Sequence, residues 1–140
     1  MKILLVEDNE GEQLIIKEAF EEAQVNCELA VVSDGEEALK YLKNHGPFKE
    51  AARPDLVILD LNLPKVKGQE VLKEIRAERR LSHIPVIILS NSRALKDVCE
   101  CYELHASAYV GKPPGFEGFI HLAKMIRMFW SDLVCYCSPA

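Results

Sequence analysis

Five short runs of branched apolar residues, each broken by polar residues and followed by a stretch of helical periodicity, constrain this chain more than any other feature. The runs are KILLV (2–6), CELAVV (27–32), DLVILD (55–60), VIILS (86–90) and SAYV (107–110). Their apolar residues are continuous rather than alternating, which marks strands covered on both faces and hence a parallel sheet. Helical spacing is expected over 10–23, with Leu14, Ile15, Ala19 and Phe20, and then from Asp34 as N-cap through Ala38, Leu39 and Leu42. It returns over 68–79, 94–104 and about 116–134, while 47–54 reads as a long loop after His45-Gly46-Pro47. Five βα units joined by right-handed crossovers leave few topologies. The expected fold is therefore a doubly wound α/β domain spanning 1–140, with a five-stranded parallel sheet in the order 2-1-3-4-5. Such sheets bind ligands at the C-terminal strand ends, beside the switch between strands 1 and 3.

The residues at those ends carry chemistry. Glu7 and Asp8 follow the first strand, Asp60 ends the third, Ser90 ends the fourth, and Lys112 follows the fifth. Singly, an aspartate at a strand end is a turn former, a lysine a solvated charge and a serine a strand-end hydroxyl. Their convergence on one edge is what gives the functional reading. Clustered carboxylates raise one another's pKa values, and a hard divalent cation relieves the repulsion. All-oxygen donors suit Mg²⁺, which commonly shares its shell with phosphate oxygens. Asp60 is then placed as a nucleophile toward phosphorus, giving an acyl phosphate. Lys112, Ser90 and the cation would hold the phosphoryl oxygens.

Composition narrows the alternatives. A formal net charge of −5 does not support a general nucleic-acid footprint. No apolar run reaches the ~18 residues needed to span a bilayer. The start, MKILLVEDNE, is too short in its apolar part and too acidic after it for a signal peptide, so a cytoplasmic protein is expected. The five cysteines, Cys27, Cys99, Cys101, Cys135 and Cys137, are an odd number and read as reduced thiols. Cys99 and Cys101 lie two apart in a helical pattern and would face different sides rather than chelate one metal.

LLVEDNE, LVILDLNLPKVKG, PVIILS and AYVGKP resemble the receiver domains of two-component response regulators, over essentially the whole chain. The resemblance implies a flavodoxin-like, CheY-like fold and phosphorylation of Asp60 by the phospho-histidine of a sensor histidine kinase. It implies Mg²⁺ held by Glu7, Asp8, Asp60 and the backbone carbonyl of Asn62, and Ser90 with Lys112 as the phosphate-sensing pair. Tyr109 corresponds to the switch aromatic, and Lys112–Pro113 to a bond usually cis in the family. The loop before ARPDLVILDLNLPK, the segment YELHASAYVGKP and the terminal MFW further resemble stand-alone receivers that partner phytochrome-type kinases. One departure is Asn91, where the family usually has a small residue or threonine beside the phosphoryl site.

The expectation is a signalling module, not an enzyme beyond self-catalysed phosphoryl acceptance and hydrolysis, with no output domain after the last helix. It would act by contact with a downstream protein or by onward phosphotransfer. A receiver-like module that binds partners without phosphorylation stays open. A flavin or nucleotide carrier is disfavoured because the first loop, EDNEGE, is acidic. An aspartyl phosphatase usually wants a second carboxylate where Asn62 stands. The last helix, FEGFIHLAKMIRMFWSDLV, carries more apolar residues than one buried face needs. A two-fold homodimer anchored by Phe129 and Trp130 on that helix is expected.

Overall fold

The computed structural model describes residues 1–137. Strands β1 (Lys2–Val6), β2 (Glu28–Val32), β3 (Leu56–Leu59), β4 (Val86–Ser90) and β5 (Ala108–Gly111) alternate with five helices. These are α1 (Glu10–Glu22), α2 (Gly35–Leu42), α3 (Gly68–Ala77), α4 (Leu95–Glu103) and α5 (Phe116–Ile126). The strands form one parallel sheet in the order β2-β1-β3-β4-β5, as the apolar runs require.

Alternate residues of each strand face opposite sides, and both sides are packed. On one side Leu4, Val6, Val57, Leu59, Val86 and Ile88 meet Ala38 and Leu42 of α2, Val71, Leu72 and Ile75 of α3, and Cys101 of α4. On the other, Ile3, Leu5, Ile58 and Leu89 meet Ile16, Ala19 and Phe20 of α1 and Phe119, Ala123 and Ile126 of α5. Cys101 is buried and Cys99 exposed, so the two thiols do face different sides of α4.

Register brings the strand ends into line. Val6 pairs with Leu59, and the Asp60 amide donates to the Val6 carbonyl, so Glu7 and Asp60 emerge side by side. Ser90 pairs with Gly111, and the Lys112 amide donates to the Ser90 carbonyl. Asp34 caps α2 as expected, its carboxylate accepting from the Glu37 amide at 2.7 Å.

Three expectations are corrected. The last helix does not run regularly to 134: α5 ends at Ile126 and continues as one π-helical turn, Arg127–Ser131. Trp130 is half-buried against the α1/α5 core rather than presented to solvent. No peptide bond among the described residues is cis, Lys112–Pro113 included. The 47–54 loop also holds a short 3₁₀ turn, Gly46–Phe48, with Phe48 tilted against Tyr41 at a ring separation of 5.3 Å.

Gly68 opens α3 directly behind the loop that follows Asp60. A β-carbon there would fall 2.4 Å from the Asp60 carbonyl oxygen, so the loop can lie this close only because the residue is glycine. Gly68→Ala is expected to destabilise the protein by about 2 kcal/mol through overpacking. Urea unfolding checks this, and an unchanged midpoint would show that the loop yields without cost.

Candidate phosphoryl-acceptor and metal site

Asp60 and Glu7 are almost fully buried, as is Lys112, whose side chain is only 3% exposed. An isolated ion in that position is strongly disfavoured. The arrangement is tolerated because the Lys112 ammonium is saturated: it donates to Glu7 Oε1 at 2.8 Å, Glu12 Oε2 at 2.6 Å and Asp60 Oδ2 at 3.2 Å. Burial alone would favour the neutral amine, but the contacts with Glu12 and Glu7 and the charge of Asp60 outweigh it and hold Lys112 well above its ordinary pKa. Glu7 moves in the direction burial dictates. Its carboxyl is pushed up to about 7, despite the Lys112 hydrogen bond and the Asn9 amide, and the nearby Asp60 charge adds to the rise. Burial also works to raise Glu12, but there the Lys112 and Glu7 hydrogen bonds prevail and its pKa is lowered.

Glu7, Asp8 and Asp60 each bring a carboxylate oxygen within 4.8 Å of the others, the one such metal-competent cluster among the described residues. Asp8 is exposed and lies at the mouth. With Asn9, Glu12, Asn62, Asn91 and Lys112, these three line an open cavity of about 250 Å³. Three hard oxygen donors at the edge of a cleft open to solvent fit a divalent cation that keeps part of its hydration shell. Asn62 is exposed beside them, its amide directed at Asp60 Oδ1 at 3.4 Å.

Ser90 and Tyr109 do not line this cavity. Ser90 is fully buried, and its Oγ accepts from the Ser92 amide at 3.1 Å. Tyr109 is half-buried, and its hydroxyl donates to the Ser92 carbonyl at 2.8 Å. The Ser92 hydroxyl in turn donates to the Asp97 carboxylate at the start of α4. Ser90 and Tyr109 thus meet through one residue, Ser92, that the sequence reading did not single out.

Glu12 also went unnoticed. Asn9-Glu10-Gly11-Glu12 has the form of a helix N-cap with a glutamate three residues on, a pattern with a sufficient structural explanation. Asn9 does cap α1, accepting from the Glu12 amide at 2.9 Å. The reciprocal half of the motif is absent, because the Asn9 amide donates to Glu7 Oε2 at 3.1 Å. That leaves the Glu12 carboxylate free to turn toward Lys112.

The response regulator receiver domain family model matches residues 3–124. The chain belongs to the response regulator receiver family. It is 36% identical over 132 residues to the response regulator Rcp1 of Synechocystis sp., covering 94% of this chain and 90% of that protein. It is 38% identical over 128 residues to the probable methanogenesis regulatory protein FilR2 of Methanothrix harundinacea, covering 91% and 82%. The phosphorylated cyanobacterial phytochrome response regulator RcpA superposes with a TM-score of 0.92 at 41% identity, over 98% of both chains. The Mn²⁺-bound form of Rcp1 superposes at 0.89 and 36%, over 99% of both. Likeness to a metal-bound receiver and the acidic cluster together support a divalent-cation site here. No described helix is long and apolar enough to cross a membrane.

The raised Glu7 pKa fixes a pH dependence. Folded Glu7 keeps its proton up to about pH 7, whereas the unfolded carboxyl releases it near its ordinary value of 4.5. The folded state therefore binds more protons in that window, and the metal-free protein loses stability from this group as pH rises through it. A cation that takes the deprotonated carboxylates offsets the loss. Millimolar Mg²⁺ or Mn²⁺ is expected to raise the melting temperature more near pH ~8 than near pH ~5.5. An equal or larger gain at the lower pH would exclude Glu7 as a ligand.

Proposed function

We propose that this receiver accepts a phosphoryl group on Asp60 from a sensor histidine kinase, with Mg²⁺ bound at Glu7, Asp8, Asp60 and the Asn62 carbonyl. The observation that carries the reading is the contact between Asp60 and Lys112 at the floor of the acidic cavity: a buried carboxylate is held by an ammonium, and the cavity gives access from solvent. An Asp60 oxygen attacks the phosphorus of a phospho-imidazole. The O–P bond forms as the P–N bond breaks, and the electron pair returns to the imidazole nitrogen. The bound cation would neutralise charge on the phosphoryl oxygens. Lys112 donates to one of those oxygens, and Ser90 Oγ turns from the Ser92 amide to another. Hydrolysis reverses the modification when water attacks phosphorus, and the exposed Asn91 amide at the cavity rim governs that approach. The protein acts as a phosphorylated switch rather than as a turnover enzyme.

The loss of Ser90 from Ser92 is the step that reaches the surface. Ser92 also holds Tyr109 and Asp97, so its displacement loosens the β4–α4 loop and frees the aromatic ring to change position. A partner that binds one arrangement better than the other reads the phosphorylation state. The likeness to the phytochrome response regulator RcpA supports a phytochrome-type kinase as the phosphodonor, and the cytoplasm is the compartment proposed with it. The output is contact with a downstream protein or onward phosphotransfer.

Incubation with Mg²⁺ and phosphoramidate is expected to add one phosphoryl group to the wild type and none to Asp60→Asn, read by intact mass. Equal addition to the mutant would defeat the assignment.

A two-fold homodimer is part of the same proposal. Met125, Met128, Phe129 and Leu133 are each more than half exposed along α5 and the turn after it. Exposed apolar residues at positions 125, 128, 129 and 133, three or four apart along the helix and its extension, are candidates for a site of association. Trp130 is set aside as an anchor, since it packs into its own core, and Phe129 is the central residue. The wild type is expected to sediment as a dimer at micromolar concentration and Phe129→Ala as a monomer. A monomeric wild type, with and without phosphodonor, would refute the dimer; a folded mutant that still dimerises would place the interface elsewhere.

A further inference from the structure

Glu12 makes the shortest contact on Lys112, and the acceptor chemistry above gives it no part. An ammonium has three protons to donate, and here all three are committed, to Glu7, Glu12 and Asp60. A phosphoryl group on Asp60 brings new anionic oxygens within reach of the same ammonium. One existing contact must then give way.

The three differ in what release would leave behind. The Glu7 side chain is 2% exposed and without Lys112 keeps only the Asn9 amide among its protein partners, so water cannot readily take the ammonium's place there. Asp60 carries the phosphoryl group itself, so Lys112 stays near it in any case. The Glu12 side chain is 27% exposed, on the first turn of α1 at the cavity wall, and water can take over its carboxylate at once. Its amide stays capped by Asn9 whichever way the side chain points.

We infer that Glu12 is a positioning residue for Lys112. It anchors the ammonium while Asp60 is free and surrenders it to the phosphoryl oxygens when Asp60 is modified. This rests on the reading of Asp60 as phosphoryl acceptor. The consequence is a competition. The Glu12–Lys112 contact stabilises the unmodified state selectively, and so opposes both phosphorylation and the binding of a phosphoryl mimic.

Two substitutions separate the contact from the charge. Glu12→Gln removes the charge. Glu12→Asp keeps it but shortens the side chain by one carbon–carbon bond, about 1.5 Å, which takes the carboxylate out of hydrogen-bond range. Beryllofluoride with Mg²⁺ serves as the mimic, its affinity measured by calorimetry, beside the rate at which phosphoramidate modifies each protein. Both variants are expected to bind the mimic about two- to fivefold more tightly, the range of a partly solvated ion pair, and to be modified faster. A gain in Glu12→Gln with wild-type behaviour in Glu12→Asp would overturn the inference in favour of bulk charge. No change in either variant, in a wild type that is modified on Asp60, would overturn the role of Glu12 alone. A wild type that takes up no phosphoryl group would overturn the acceptor reading and this inference with it.

Discussion

Everything at the C-terminal edge of the sheet depends on one buried ammonium. Lys112 lies at the end of β5 with its charge directed inward, where a lone cation is strongly destabilising, and it is tolerated only because three carboxylates converge on it. The requirement runs both ways. Glu7 and Asp60 sit at the ends of two neighbouring strands whose register forces them together, and without Lys112 they would face each other across a few ångströms of poorly solvated space. Four acidic side chains, Glu7, Asp8, Glu12 and Asp60, surround one lysine. The site therefore keeps an excess of negative charge that a divalent cation can offset. Apolar residues of similar volume would stabilise the fold at least as well. The stability lost to this cluster is what keeps a carboxylate, an ammonium and a metal-competent triad in one place.

The sheet was legible because its sequence signal and its physical cause coincide. A strand covered on both faces must be apolar throughout, and it must stop being so where it leaves the core. Val6 to Glu7, Leu59 to Asp60 and Gly111 to Lys112 are such transitions, and each marks both the end of a strand and the start of the site. Strand boundaries shift by a residue, as at Ala108–Gly111 against the expected 107–110, without moving any functional side chain.

The parts that escaped the sequence share a different character. Glu12 is hidden by a local pattern that already has a sufficient explanation, helix capping, and its second task appears only when β5 is laid across the sheet from α1. Ser92 works largely through its backbone, accepting from Tyr109 with its carbonyl and donating to Ser90 with its amide, and main-chain groups leave no mark in a sequence. The end of α5 is not visible in the sequence because apolar residues continue past Ile126. Helical periodicity reports which residues are apolar, not where the neighbouring surface stops. Arg127 reaches back to the Ala23 carbonyl at the end of α1, Trp130 turns onto the core, and the backbone widens into a π turn between them.

The β4–α4 loop shows how a switch can be built from so little material. Four attachments hold it: Ser92 to Ser90, to Tyr109 and to Asp97, and the Arg93 guanidinium to the Lys112 carbonyl. Gly111 leaves room for the last, since a β-carbon there would meet that guanidinium at 2.2 Å and make it shift. Beyond them the loop buries little apolar surface: Leu95, its first helical residue, is 76% exposed. A segment held by a few hydrogen bonds and no core contacts belongs to the least stable part of a fold. One of its attachments ends on Ser90 Oγ, the group that would turn toward a phosphoryl group, and another on the backbone carbonyl of Lys112, whose side chain would do the same. Under the proposed function, modification at Asp60 would act on the loop at a point of restraint, and a rearrangement of a few hydrogen bonds would change the face presented by α4 and β5.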